Sequence, residues 1–411
     1  MLFRELAEYY ERLEAVSSRL KMIEVLSEAF KILSPKELQE AVYITQGILL
    51  PPFEGVELGV AEKLVEEGIA ISTGYKKDEV EKEYKRSGDM GLAVQAIKSK
   101  TKLKRLDSKK YTISETYERV GKIAETGGEG SKERKIGMIA DMIGSATPTE
   151  AKYTVRYILG QLRLGVGDST IMEALSVIGT GDRKFKEEIE RAYNICSDLG
   201  LVARELAEKG PKAIAGFKVT LFKPVRPALA ERLPTAEQIL ERMHGIAAVE
   251  QKYDGFRVQV HKDGNTVRLF SRRLEDTTDM FPDIAKAVKE EVGAKRIIFE
   301  GEALAYNEST SEYLPFQETI QRKRKHDIAK KAEELPLHLF AFDILYLDNK
   351  DMLSEPYEKR REMIESLFKN DHMITPTTKI VTRSPKELEL FFEKSVENGL
   401  EGIMAKDLKA P

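Results

Sequence analysis

Residues 250–260, EQKYDGFRVQV, contain an Asp-Gly break and alternate between apolar and polar side chains after it. Alternation with a period of two is typical of a β-strand with one buried face. It places Val258 and Val260 on the face towards a core, and Gln259 and His261 on the opposite face. Because an Asp-Gly pair favours a tight turn, the stretch predicts a half-buried β-hairpin with a lysine just before its turn.

Lys252, the lysine of this stretch, suggests a specific chemistry. If the polar face lined a pocket, Arg257, Arg268 and Arg272 would bring positive charge towards it. Such a cluster attracts phosphates and favours the neutral amine, which is the nucleophilic form of lysine. Gly255 leaves room for a ligand or for unusual backbone angles. A surface hairpin with an exposed lysine explains the Lys-x-Asp-Gly tetrapeptide equally well, so the tetrapeptide alone does not decide.

Two later segments carry groups suited to the same chemistry. In RIIFEGEALAY, Glu300 and Glu302 lie two residues apart and share one face of a predicted strand. Neighbouring carboxylates repel each other unless a divalent metal or basic side chains compensate their charge. In LHLFAFDILYLD, Phe340 and Phe342 share a face, where one ring can stack on a base while the other fills the core. Together these segments favour a nucleotide site over a plain surface hairpin.

Composition limits the possible classes of function. The chain has 411 residues, enough for two or three domains, and a net charge of only -3. That charge excludes a globally basic surface, so nucleic-acid contacts must use local patches. The single cysteine, Cys196, excludes a disulfide framework. The charged, helical start is not a signal peptide and no apolar run can span a membrane, so we expect a soluble cytoplasmic protein.

The chain up to about residue 210 has the apolar spacing of consecutive helices. Two helix starts are alike: SPKE from Ser34 and TPTE from Thr147 each offer an N-cap, a first-turn proline and a capping glutamate. The offset is 113 residues (147 − 34), and Gly47 and Gly160 share it (160 − 47). This likeness predicts an internal duplication of a helical unit, with chance resemblance of two capped helices as the alternative.

The second half follows a different pattern. The proline-rich stretch 210–235 interrupts the helices, and we place a domain boundary within it. A short helix at 235–245 and five strand-like runs, IAAVEQ, FRVQVHK, TVRLFSRR, RIIFEGEALAY and LHLFAFDILYLD, come next. The predicted fold is therefore multidomain: an all-α domain over residues 1–212, then an α+β domain with antiparallel sheets over 213–411.

Five segments, taken in order, resemble the motifs of the covalent nucleotidyltransferases. Within that superfamily, the chain is similar over essentially its whole length to ATP-dependent DNA ligases of the archaeal and eukaryotic replicative type. Its helical half resembles the DNA-binding domain of those ligases, notably at GDMGLAVQ (88–95) and YILGQLRLGVGD (157–168). The five segments are KYDGFR (252–257), SRR (271–273), FEGEALAY (299–306), FAFDILYLD (340–348) and EGIMAK (401–406).

The resemblance implies ATP and Mg²⁺ as cofactors and a three-step phosphoryl transfer. Lys252 would attack the α-phosphorus of ATP and form lysyl-AMP, which passes to the 5′-phosphate of a nick before the 3′-hydroxyl attacks. By the same resemblance, the nucleotide-binding residues are Glu250 for the adenine amino group, Arg257 and Arg272 for ribose and phosphate, Glu302 for ribose or metal, Phe342 for stacking on adenine, and Lys406 for phosphate. Glu302 and Glu401 would be the metal ligands.

The resemblance also implies nicked double-stranded DNA as the partner, in replication, repair and recombination. We expect sequence-independent, salt-sensitive binding in an archaeal cytoplasm, at the nucleoid. A sliding clamp follows from the resemblance alone, since the chain shows no convincing clamp-binding peptide. Local basic runs at 98–105, 107–110 and 321–327 are candidates for DNA contact. An ordinary solvated loop is the better interpretation for 107–110, and a functional one for 321–327.

Ligases of this type continue past the position of Pro411 with another lysine-bearing strand and an OB-fold domain. The resemblance therefore implies an adenylation domain that lacks its final motif, in a truncated or naturally short protein. Because the missing lysines hold the triphosphate and the OB-fold domain closes around DNA, we expect this chain to seal nicks poorly.

Two other kinds of protein share part of this pattern. An mRNA-capping guanylyltransferase or an RNA ligase also forms a lysyl-nucleotide, but neither explains the helical half. A non-catalytic DNA-binding scaffold with a degenerate pocket is the second alternative, and the presence of Lys252, Glu302 and Glu401 disfavours it. Whether NAD or ADP replaces ATP stays open.

Overall fold

The computed structural model divides the chain into two compact units, Met1–Phe217 and Lys218–Pro411. The residues it describes are 1–101, 109–307, 312–314, 316–322, 332, 334–369 and 373–411. The basic runs 98–105, 107–110 and 321–327 fall partly outside the described residues, so their contacts with DNA stay predictions. The roles assigned to domains 1–212 and 213–411 also stay predictions.

The first unit is built from α-helices whose starts carry the expected caps. The Ser34 hydroxyl accepts from the Glu37 N–H, while the Glu37 carboxylate accepts from the Ser34 N–H at 3.1 Å. Thr147 and Glu150 make the same reciprocal pair. Such boxes satisfy N–H groups that a helix cannot pair internally. The helices are α1 (Phe3–Glu14), α2 (Arg19–Lys31), α3 (Pro35–Gln46), α4 (Glu62–Thr73), α5 (Lys77–Ser87), α6 (Met90–Lys100), α7 (Ile113–Glu125), α8 (Ser131–Ser145), α9 (Pro148–Ile158), α10 (Asp168–Thr180), α11 (Lys186–Cys196) and α12 (Leu199–Lys209), with 3-10 turns at Pro52–Glu54 and Pro211–Gly216.

Structural features of this unit repeat at the offset seen in the sequence. Gly47 follows α3 and Gly160 follows the end of α9, and both have the positive φ that glycine tolerates best. A Cβ on Gly47 would lie 2.8 Å from the Gly160 carbonyl oxygen. Packing partners repeat too: α3 packs on α12 and α9 on α6, while α2 packs on α10 and α8 on α4. These features support the internal duplication, which stays a prediction.

The described residues of the second unit form two sheets. A three-stranded antiparallel sheet has the order β10-β1-β9. A seven-stranded sheet runs β3-β2-β4-β6-β7, with β5 paired to β4 and β8 paired in parallel to β6. The strands are β1 (Ala247–Lys252), β2 (Phe256–Asp263), β3 (Thr266–Ser271), β4 (Arg296–Asn307), β5 (Glu312–Tyr313), β6 (Leu337–Leu347), β7 (Lys350–Asp351), β8 (Ile374–Pro376), β9 (Lys379–Thr382) and β10 (Gly402–Lys406).

Helices cover one face of each sheet and bury its apolar side chains. Val258 and Val260 lie in the core of the large sheet, as their alternation predicted, together with Ile284 and Ile364 from two helices. The small sheet packs against the helix Ala236–Arg242, which precedes β1, and the helix Pro385–Glu397, which lies between β9 and β10. The helices of this unit are α13 (Ala236–Arg242), α14 (Pro282–Glu291), α15 (Phe316–Thr319), α16 (Tyr357–Leu367) and α17 (Pro385–Glu397), with 3-10 turns at Thr278–Met280 and Ile320–Arg322.

The hairpin predicted for residues 250–260 is wrong. Strand β1 pairs with β9 and β10 in the small sheet, whereas β2 pairs with β3 and β4 in the large sheet. Tyr253, Asp254 and Gly255 therefore carry the chain from one sheet to the other. A tight hairpin does occur one strand later, between β2 and β3, at Gly264 with φ 56°. Lys252 is the last residue before the crossing between sheets.

Residues Phe222 and Val225 cover most of the polar face of β2. Only part of that face is therefore open to a pocket. The backbone N–H of Phe222 donates to Nδ1 of His261 at 2.9 Å. Gln259 exchanges two hydrogen bonds with the backbone of Val225, at 2.8 and 2.9 Å. Both side chains are buried, so this part of the face is a satisfied polar core and only the end near Arg257 borders the site.

Candidate active site

Lys252 and Glu401 face each other where β1 ends and β10 begins. The backbone N–H of Glu401 donates to the carbonyl of Lys252 at 3.0 Å, which fixes the two residues side by side. Their side chains form an ion pair, with 37% of the lysine side chain and 47% of the glutamate side chain exposed. The amine is therefore accessible and lies next to a carboxylate, rather than among the arginines that the sequence suggested.

Gly255 brings β4 close to the lysine. A Cβ on Gly255 would lie 2.4 Å from the carbonyl oxygen of Ala303 and 2.8 Å from Leu304, so only glycine fits. Its φ is not positive, so close approach, not backbone angle, requires it. The approach lets the Gly255 N–H hydrogen-bond to the carboxylate of Glu302.

Glu302 is the acidic group most affected by its surroundings. Burial raises the pKa of Glu302 to about 7, and the neighbouring Glu401 carboxylate adds to the increase. Arg257, Lys252 and the Gly255 N–H act in the opposite direction by stabilising the charged form. Lys252, Arg257, Glu302 and Glu401 therefore share one electrostatic site.

The four-cation cluster expected around the lysine does not form. Arg257 is bound by Glu300, with Nη2 donating at 2.6 Å and Nε at 3.3 Å. Arg268 is paired instead with Asp276, at 2.7 Å. The two glutamates of β4 thus divide their roles, because Glu300 holds Arg257 while Glu302 faces the lysine.

The side chain of Arg272 is exposed beyond the end of β3. It lines a small cavity with Arg257, Gln259 and Glu300. Arg272 lies within a tight turn. The Ser271 hydroxyl closes this turn by accepting from the N–H groups of Arg273 and Glu275 at 3.2 and 3.3 Å. This turn fixes the backbone from which Arg272 extends towards the site.

A bulge in β6 separates the two phenylalanines that the sequence left ambiguous. Glu300 lies opposite Asp343 and Gly301 opposite Ala341, so Phe342 is the extra, unpaired residue. Its ring lies between two cations, 5.3 Å from the guanidinium of Arg257 and 5.3 Å from Nζ of Lys406.

Phe340 is instead buried, with its ring stacked on Tyr253 at 4.0 Å. One of the two rings fills the core and the other borders the site, as expected for the pair.

Glu250 is buried, with only 2% of its surface exposed. Its Oε2 is 3.1 Å from Nζ of Lys406, and its Oε1 accepts from the hydroxyl of Tyr357 and from Arg361 at 3.4 Å. Lys406 also donates to the carbonyl of Phe342 at 3.0 Å. The contacts of Glu250 and Phe342 thus meet at Lys406.

Sequence reasoning missed Tyr357 and Arg361. Both lie on one face of α16 at a spacing of four residues, in PYEKRREMIESL. That spacing shows that they share a helix face, but nothing in the sequence shows that the face meets β1.

Comparison with known proteins agrees with this geometry. The family model "DNA ligase N terminus" matches residues 2–176, and "ATP dependent DNA ligase domain" matches residues 227–411. A probable DNA ligase of Dictyoglomus turgidum is 44% identical over 411 residues, covering 100% of this chain and 69% of that protein. The chain belongs to the ATP-dependent DNA ligase family. DNA ligase 1 of Methanosarcina acetivorans is 39% identical, covering 99% of the chain and 70% of that ligase.

A solved structure named Pmar-Lig_PreS3 has the same fold. It is 17% identical with a TM-score of 0.56, and the match covers 98% of this ligase-family chain and 74% of that structure. The predicted fold class, helical first and antiparallel α+β second, is confirmed. Within the described residues, no helix is long and apolar enough to cross a bilayer.

Proposed function

We propose that this DNA ligase acts through the ε-amine of Lys252. The amine attacks the α-phosphorus of ATP, an N–P bond forms, and the bond to the leaving pyrophosphate breaks. AMP then moves to the 5′-phosphate of a nick, and the adjacent 3′-hydroxyl attacks that phosphate and displaces AMP. Each step is a phosphoryl transfer, for which the protein supplies mainly positioning and charge neutralisation.

The position of Lys252 carries the proposal. It is an accessible lysine at the crossing between two sheets, in contact with Glu401 and in the field of Glu302 and Arg257. An isolated surface lysine would not have a buried carboxylate, a guanidinium and a required glycine converging on it. This convergence favours a catalytic amine over a solvated side chain.

The remaining residues are proposed to bind the nucleotide. Guanidinium groups suit ribose and phosphate oxygens, a half-buried phenylalanine ring suits stacking on a base, and a carboxylate suits an amino group. We assign Arg257 and Arg272 to ribose and phosphate, Glu302 to ribose or the metal, and Phe342 and Glu250 to adenine. Lys406 is assigned to phosphate, and it contacts both Glu250 and Phe342.

Glu302 and Glu401 fit Mg²⁺ by the chemistry of their donor atoms. Mg²⁺ is usually held by one or two carboxylates together with substrate phosphates, not by an all-protein cage. Among the described residues, no group of three or more His, Cys, Asp or Glu side chains is arranged for a metal. When bound, the ion would neutralise charge on the phosphates.

The helical unit is proposed to hold nicked duplex DNA without reading its sequence. Helix N-termini and local basic side chains suit phosphate contacts, and binding should weaken steeply with salt. A sliding clamp remains an expectation from the family.

Adduct formation on Lys252 tests the proposal directly. The chain is incubated with Mg²⁺ and ATP, GTP or NAD, and intact mass is recorded before and after nicked duplex is added. We expect AMP on wild type, none on Lys252→Ala, and normal labelling of Lys350→Ala. Lys350 is a matched control because it pairs with Glu355 at 2.7 Å outside the site.

The other outcomes decide between the alternatives. Labelling by GTP alone would assign the chain to the capping class. Absence of any adduct in a protein that also carries the final lysine motif and the OB-fold domain would favour a non-catalytic scaffold.

A further inference from the structure

One face of α16 contacts both strands that carry the proposed adenine residues. Tyr357 and Arg361 reach Glu250 on β1, while Arg360 donates to Asp343 on β6 at 2.8 Å. Asp343 is the residue next to Phe342 at the bulge. A single helix therefore contacts the carboxylate of the base site and the residue next to its aromatic ring.

The residues that bind Glu250 are themselves held by further contacts. Tyr357 and Arg361 are buried, and Arg361 is fixed in turn by Thr377, whose hydroxyl accepts from Nη1 at 2.6 Å. Arg361 Nε also donates to Glu365, one turn further along α16, at 2.8 Å. A guanidinium held by several acceptors is a fixed donor for the carboxylate beside it.

Burial and the adjacent Glu250 carboxylate raise the pKa of Tyr357, so its hydroxyl keeps its proton and donates. The two contacts of Oε1 therefore hold the carboxylate in one orientation. A carboxylate offers about four acceptor positions. Among the described residues, two donors contact Oε1 and one, Lys406, contacts Oε2, which leaves an acceptor position on Oε2.

We propose that Tyr357 and Arg361 are positioning residues for nucleotide specificity, which turn Oε2 of Glu250 towards the purine. The inference rests on the proposed function. A carboxylate oxygen accepts a hydrogen bond from the 6-amino group of adenine. It repels the 6-carbonyl oxygen of guanine, because both are acceptors. Holding Glu250 rigid converts that difference into a preference for ATP over GTP.

The test compares adduct formation on Lys252 from ATP and from GTP in four proteins. Wild type, Glu250→Gln, Tyr357→Phe and the control Tyr193→Phe are each titrated with nucleotide. Tyr193 is matched because its hydroxyl also donates to a carboxylate, Asp168, at 2.8 Å in the helical unit. For Tyr357→Phe we expect KM for ATP to rise about tenfold, as for loss of a hydrogen bond to a charged group, while the maximal rate is kept. The preference for ATP over GTP should fall by the same factor. Glu250→Gln should reduce this preference more than any other variant.

Several results would overturn the inference while the proposed function stands. These are an unchanged KM and ATP/GTP ratio in Tyr357→Phe, an equal loss with both nucleotides, or an unchanged ratio in Glu250→Gln. Arg361→Lys supplies a second variant, which keeps the charge and loses the fork. If wild type itself forms no adduct with ATP, the proposed function fails, and the inference fails with it.

Discussion

At Gly255 the segment that crosses between the sheets comes so close to β4 that no side chain fits between them. The Ala303 carbonyl is part of the paired β4 backbone and cannot move aside easily. We expect Gly255→Ala to cost about 1–3 kcal/mol of stability, as overpacking does. It should also slow adduct formation on Lys252, because the N–H that contacts Glu302 is displaced.

Gly293→Ala is the matched control for this change. A Cβ at Gly293 would meet no atom within 4 Å, so thermal stability and adduct rate should stay at the wild-type level. A Gly255→Ala protein with wild-type melting temperature and labelling rate would contradict the assignment of close packing at this residue.

His261 makes the stability of the second unit depend on pH. Burial, with Arg268 adding to it, lowers the pKa of His261 to about 3 from an ordinary 6.5. Below pH 6.5, His261 becomes protonated in the unfolded chain but stays neutral in the folded chain. Stability present above that pH is therefore lost as pH falls towards 3. By pH 5 the loss is about 2 kcal/mol.

Hydrogen exchange of the β2 amides at pH 7 and pH 5 measures this loss. The difference between the two pH values should shrink in His261→Gln and persist in His244→Gln, whose imidazole is exposed. Nitrogen NMR showing a charged His261 ring at pH 5 would disprove the assignment.

The bulge in β6 places Phe340 in the core and Phe342 at the border of the site, so we expect their substitutions to have different effects. Phe340 is buried against Tyr253, so Phe340→Ala should destabilise the protein by about 3–5 kcal/mol. Phe342→Ala should cost less stability but raise KM for ATP about tenfold, since a base–aromatic stack contributes about 1–3 kcal/mol.

Melting temperature and nucleotide titration of the two variants separate these effects. If Phe342→Ala bound ATP normally and unfolded early, Phe342 would be a core residue and not part of the base site.

The strands themselves could be predicted from sequence, but their partners could not. Alternation and β-branched residues locate β2, β4 and β6 because both are local signals. The partners of β1 are residues 379–382 and 402–406, more than 100 positions away. No local pattern encodes such pairing, so YDG was interpreted as a hairpin turn when it is a crossing between sheets.

The same limit applies to the candidate site. The residue types of Lys252, Glu302 and Glu401, an amine and two carboxylates, indicate their chemistry directly. Tyr357 and Arg361 act through contacts that α16 makes only after folding, and the tyrosine–carboxylate contact spans 107 positions. Likewise, the sequence places Gln259 and His261 on a polar face but cannot show that Phe222 and Val225 cover them.

At the scale of the whole chain, the equivalence between the halves of the helical unit goes beyond the offset of 113 residues. Asp89 caps α6 and Asp198 caps α12, with Leu92 and Leu201 donating their backbone N–H groups at 2.8 Å in each case. Each aspartate is also bound by a residue of the partner helix: Asp89 by Arg156 of α9.

For Asp198 the corresponding partner is Tyr43 of α3, and Tyr43 and Arg156 differ by the same 113 positions (156 − 43). Asp89 and Asp198 thus cap two helices and bind equivalent positions of α9 and α3. This supports a duplication in which α3 packs on α12 and α9 packs on α6.

That arrangement predicts two equally intolerant glycines. A Cβ on Gly91 would lie 2.8 Å from the Lys152 carbonyl oxygen, and one on Gly200 would lie 2.3 Å from the ring of Tyr43. Each Gly→Ala change should therefore cost about 1–3 kcal/mol, although alanine normally favours a helix by about 0.5–1 kcal/mol. Gly137→Ala in α8 is the control, since its Cβ would meet nothing within 4 Å and should stabilise the helix. Far-UV circular dichroism of the three variants during urea unfolding measures the costs. We expect comparable losses in the free energy of unfolding at residues 91 and 200 and a gain at 137, because a duplicated helix crossing needs the same close approach twice. A loss at only one of residues 91 and 200 would contradict the equivalence of the halves.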